Sequence, residues 1–168
     1  MNKFFNKIII LILTVFFHNI NAESLSENAI QRGINETCSS YLSQIESSYD
    51  VSGLNITFAH PESPSLFPSL HISSKKYNNG SSNFSATLSP DEEYCYISTI
   101  LVTSINNQSC IEIANLRLEK EPNLKLMDFA DGDHILIIPN DNSFQTILTN
   151  TGNNSCTMTE SRMLWPGR

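Results

Sequence analysis

The chain has 168 residues, 40% of them apolar and 16% charged, enough apolar sequence for one buried core and too little length for two ordinary domains. Asp and Glu number 17 against 10 Lys and Arg, giving a formal charge of −7. With Lys75-Lys76 as its one adjacent basic pair, the chain lacks the positive surface that nucleic-acid phosphates require; its acidity suits solubility and cationic partners.

Residues 1–22 read as a Sec-type export signal. Lys3 and Lys7 lie in a short polar segment, Ile8 to Phe17 is apolar except for Thr14, and cleavage is expected after Ala22. An apolar run of about ten residues spans only ~15 Å as a helix, half the hydrocarbon thickness, so it reads as a cleaved leader and not a retained anchor. No second apolar run approaches a membrane span, and no cysteine near Ala22 offers a lipidation site. The mature product, residues 23–168, is expected to be a single small domain without a transmembrane anchor, exported to the periplasm or the exterior.

Ser24-Leu25-Ser26-Glu27 has capping-box form, and Ile34, Cys38, Leu42, Ile45 and Tyr49 recur at helical spacing. This predicts an amphipathic helix over about 35–50, preceded by a looser turn broken at Gly33. Pro61, Pro64 and Pro68 bar a helix or a central strand, and Asn78-Asn79-Gly80-Ser81-Ser82-Asn83 is a turn signal. Residues 60–69 and 75–83 are therefore expected to be loops around short edge strands, Ser69 to Ser74 among them.

Tyr94 to Ser104 is rich in β-branched and aromatic residues, and Cys110 to Leu118 alternates in hydropathy with a slip near Ala114 that reads as a bulge. Further strands are expected at Leu124 to Ala130 and Asp133 to Pro139 about an Asp131-Gly132 hairpin, then at Phe144 to Asn150 and Cys156 to Trp165. No internal repeat is visible. The predicted class is α+β: an N-terminal amphipathic helix packed on an antiparallel meander sheet of six or more strands, held by two disulfides.

Four cysteines, Cys38, Cys95, Cys110 and Cys156, are too far apart in sequence for a structural zinc site, and an even number in an exported chain reads as two bridges. Strand direction puts Cys110 and Cys156 at one end of the sheet and Cys95 at the other. A strand length at about 3.3 Å per residue far exceeds the ~6 Å Cα separation of a disulfide, which leaves Cys38–Cys95 and Cys110–Cys156.

The densest polar cluster is Asp128-Phe129-Ala130-Asp131-Gly132-Asp133-His134. Its carboxylates suggest Ca²⁺, but the spacing is not that of an EF-hand loop, and a hairpin sends neighbouring side chains to opposite faces, so a polar turn is expected. Asp141 should lie at the opposite end of that hairpin. His60 in a loop and His71 in a strand are expected to be solvated or hydrogen-bonded rings, not bases. Glu160 and Arg162 should share a face as an ion pair, and Trp165 should seal a core edge. No nucleophile elbow or metalloprotease motif is present. The expectation is accordingly of no catalytic residue, no cofactor and no metal. The functional reading is an exported, disulfide-stapled binding module with a protein partner, such as an inhibitor. Its rivals are an envelope assembly component that pairs through a sheet edge, and a small hydrolase with a dispersed site using His71 or His134.

Overall fold

A computed structural model of the chain describes residues 23–141 and 143–164. The segment expected to be an export signal, residues 1–22, and Trp165 lie outside these residues. Three helices, α1 (Leu25–Gln31), α2 (Glu36–Glu46) and α3 (Cys110–Lys120), accompany eight strands: β1 (Leu54–Phe58), β2 (Ser69–Tyr77), β3 (Gly80–Asp91), β4 (Tyr94–Ile105), β5 (Lys125–Phe129), β6 (His134–Ile138), β7 (Gln145–Gly152) and β8 (Ser155–Leu164). The α+β class, the antiparallel sheet and both predicted disulfides are present.

The strand order is β1-β2-β3-β4-β8-β7-β6-β5, with every pair antiparallel. Two four-stranded meanders are thus joined through β4 and β8, where the sequence suggested one continuous meander. Each meander is preceded by its own helix, α2 before β1 and α3 before β5. The cysteines repeat the pattern. Cys38 in the first turn of α2 is bonded to Cys95, second residue of β4, and Cys110 at the start of α3 to Cys156, second residue of β8, with Cα separations of 5.2 and 5.1 Å. The two halves thus share one strand order with no matching sequence repeat. Ile100 and Ser161, equally far beyond their strands' cysteines, are register partners and mark the approximate two-fold axis.

Two further sequence expectations differ from the structure. Cys110 to Leu118 is a helix, and the apparent slip at Ala114 is its 3.6-residue period: Cys110, Ile113 and Ala114 are buried, and Leu118 packs beside them. The signal in the sequence was the capping box: Ser109 Oγ accepts from Glu112 N at 3.3 Å, and Ser109 N donates to the Glu112 carboxylate at 2.8 Å. The bridge pairing survives because the turn after β4 delivers Cys110 to the same end whether a strand or a helix follows. Residues 75–83 are not a loop either. They form the tip of the long β2–β3 hairpin, in which Tyr77 pairs with Gly80 around Asn78-Asn79. A Cβ on Gly80 would lie 1.9 Å from the Ser104 carbonyl oxygen, so only glycine lets β3 lie this close to β4 there.

The expected capping box at Ser24 and Glu27 starts α1, and Gly33, at φ +74°, turns the chain into α2. Asn35 caps α2 through Oδ1, which accepts from Thr37 N and Cys38 N. All three helices cover one face of the sheet and make two separate cores. Leu25, Leu42, Phe84 and Leu88 centre the core beneath α1 and α2, and Ile113, Ile135, Ile137 and Leu148 the core beneath α3. Each fully buried side chain of this size contributes about 1.5–3 kcal/mol. Among the described residues, no helix is long and apolar enough to cross a membrane.

Candidate functional site

Because α2 lies on β3 and β4 while α3 lies on β6 to β8, the middle of the sheet is left between them as an open groove. Its floor is the helix-facing side of β4 and β8: Ile97, Thr99, Leu101 and Ile105 alternate along one strand, and Met158, Glu160, Arg162 and Leu164 along the other. One wall is the end of α2 and the turn after it, with Tyr41, Gln44, Ile45, Ser48 and Tyr49. The other is α3, with Ile113, Leu116, Arg117 and Lys120. Two cavities, of about 340 and 520 Å³, occupy the groove and share Ser48, Tyr49 and Arg162. These volumes fall within the range of small-molecule sites.

A charged cluster sits where the cavities meet, between the two cores. Glu160, with its side chain 8% exposed, accepts from Arg117 Nη2 at 3.0 Å and from Arg162 Nη2 at 2.9 Å. The expected Glu160–Arg162 pair is therefore present, with Arg117 of α3 as a third member that the sequence did not disclose. The Arg162 guanidinium also lies 5.0 Å from the Phe144 ring centroid and 5.8 Å from that of Tyr49. Its Nε is buried with no hydrogen-bond partner. Arg117 also pairs with Glu121 at 3.5 Å, so the two guanidiniums meet two carboxylates, and Lys120 at the rim leaves the groove with a single positive excess in a chain that carries −7 overall.

The other residues singled out from the sequence do not gather at this site. His71 is fully buried in the first core, with its Nδ1 3.1 Å from Thr57 Oγ1 and its Nε2 2.9 Å from Ser69 Oγ. A neutral ring satisfies both hydroxyls, and burial lowers its pKa from 6.5 to about 4. His60 Nδ1 accepts from Glu62 N and Ser63 N, and its ring stacks on Phe67 at 4.5 Å, which fixes the proline-rich loop 59–68. His134 Nδ1 lies 3.2 Å from Thr149 Oγ1 on the helix-free face of the sheet. Asp128 Oδ1 accepts from Gly132 N, so this carboxylate closes the hairpin loop of Ala130 to Asp133. Asp141 stands at the far end of β6, where hydrogen bonds from Ser143 hold its pKa below the usual carboxylate value. Asp131 and Asp133 flank Gly132 in the loop itself, and Cys38, Cys95, Cys110 and Cys156 are all spent in bridges.

Glu160 and Arg162 apart, the groove residues were not legible as a site because they come from four separate elements. Only the β4–β8 pairing, a contact between the two halves, brings them together. No family model, no curated protein and no solved structure matches the chain.

Proposed function

We propose that this protein is an exported binding module whose ligand lies in the groove between α2 and α3, and that the ligand is a small amphipathic anion, an apolar chain ending in a carboxylate. The observation that carries this reading is the Arg162 guanidinium at the junction of two apolar-walled cavities, with one buried N–H unpaired. Leu101, Ile105, Ile113 and Met158 supply an apolar bed, Arg162 supplies the unpaired N–H at its middle, and Lys120 supplies positive charge at its rim.

Binding is favoured over hydrolysis. His71 and His134 meet hydroxyl groups and not a carboxylate, and Glu160 is engaged by two arginines. Edge-to-edge assembly draws less support, since the outer strands β1 and β5 have five residues each. Two disulfides fit passage through an oxidising compartment, and we place the protein in the periplasm or outside the cell.

The test is calorimetric titration of the purified protein with dodecanoate, dodecanol and dodecylamine below their micelle concentrations. Dodecanoate should bind tightest. Arg162→Met should reduce its advantage over dodecanol about tenfold or more, and Leu101→Asp should weaken all three. Failure of dodecanoate to bind, or binding that Leu101→Asp leaves unchanged, would refute the reading.

A further inference from the structure

The helices cover one face of the sheet, and the opposite face is lined by side chains unlike those of a solvated surface. The cross-strand row that runs from Leu54 through Val102 and Ile147 to Met127 crosses all eight strands without a charge. In a chain of net charge −7, the Asp, Glu, Lys and Arg side chains on this face, among the described residues, are Lys76, Asp91 and Lys125, at or next to strand ends. Its two flanks are apolar and open: Ile56, Phe58 and Leu70 on one side, Met127, Phe129 and Ile147 on the other, are between 36% and 55% exposed. Between the flanks, β3 and β8 present mainly serine and threonine, with Ile100 and Val102 of β4 at the centre. Loss of charge together with enrichment in Phe, Ile and Met marks the core of a protein interface, and apolar patches this extensive on a free surface are uncommon.

We infer that this face is a self-association surface on which a second copy of the chain packs, sheet against sheet. Three observations select a second copy over another partner. The two outer flanks match in apolar character about the two-fold through Ile100 and Ser161, with apolar β4 and hydroxyl-rich β8 between them. Any two-fold axis lying in the face, along the strands or across them, therefore sets apolar flank on apolar flank, as an isologous dimer requires. Eight strands at about 4.8 Å spacing, over some five residues of shared length, offer a flat area of roughly 600 Å². Side-chain relief brings that near the ~800 Å² per partner of a stable interface. Finally, the groove lies on the other side of the sheet, so a dimer formed this way leaves both grooves open.

The experiment is sedimentation equilibrium on the purified full-length gene product, expressed with its leader so that any processing has taken place, over about 1–100 μM. It is paired with peroxide footprinting of methionines at the two extremes of concentration. The expected mass is that of two chains at the upper end. Met127 and Met163, on the open face, should oxidise several-fold more slowly there than at the lower end, whereas Met158, in the groove, should not change. Val102→Lys and Ile147→Lys should give a single-chain mass throughout, and Ile111→Lys, on the exposed side of α3, should dimerise like the wild type. A wild type that remains a single chain at 100 μM, or a dimer in which Met127 and Met163 gain no protection, would overturn the proposal. So would a dimer that survives both face substitutions. The footprint is read on wild-type protein, so it decides the matter even if a substituted chain fails to fold.

Discussion

Two side chains in the interior show how the chain accommodates polarity. His71 is buried and neutral, its ring bonded to two hydroxyls, and its pKa is lowered to about 4 because desolvation disfavours the imidazolium. Below pH 6.5 the unfolded chain takes up a proton that the folded chain refuses. The His71 contribution is therefore complete above that pH and lost as pH falls toward 4, by up to about 3 kcal/mol. Chemical denaturation of wild type and His71→Gln between pH 7 and pH 4.5 should show the wild type losing more stability, since the carboxylates titrate in both; parallel profiles would contradict this. Glu160 is the charged counterpart. Removing it as Glu160→Ala leaves Arg162 without a carboxylate and Arg117 with Glu121 alone, and should cost about 1–3 kcal/mol, whereas replacing all three by Met should cost less than that single change. Urea midpoints of the two variants decide between these outcomes.

The elements divide according to how local their cause is. The α2 helix, the Ser24 capping box, the Asp131-Gly132 hairpin and the loop around Pro61 to Pro68 were legible because each is set by neighbours within a few residues. The α3 helix was misread because Ile111, Ile113, Leu116 and Leu118 alternate like a strand while burial selects Cys110, Ile113 and Ala114. The β3 strand was hidden for a different reason. Its open face is polar, and its buried face begins with Ser82 and includes Ala86, so only Phe84 and Leu88 carry large apolar side chains. Two substitutions test these causes. Ser109→Ala should destabilise the protein by about 1 kcal/mol through loss of the cap on α3. Gly80→Ala should cost about 1–3 kcal/mol, because its Cβ meets the Ser104 carbonyl. Thermal melts that leave both variants at the wild-type midpoint would contradict the assignments.

At the scale of the molecule, two four-stranded halves, the first with two helices and the second with one, each with one disulfide, share a single sheet through β4 and β8. Each bridge should contribute about 2–4 kcal/mol by restraining the unfolded chain. Replacing Cys110 and Cys156 by Ser should raise amide exchange in α3 and β6 before β2 and β3, because the core beneath α2 retains its own staple. The pairing of the cysteines could be read from strand direction alone, but the groove could not, since its floor exists only when the halves meet. Methyl-labelled methionine makes one spectrum report both faces: Met158 lies in the groove, and Met127 and Met163 on the open sheet. On titration with dodecanoate, the Met158 resonance should move in a saturable way while Met127 and Met163 stay in place. A Met158 signal that stays fixed throughout the titration, or shifts confined to Met127 and Met163, would contradict binding in the groove.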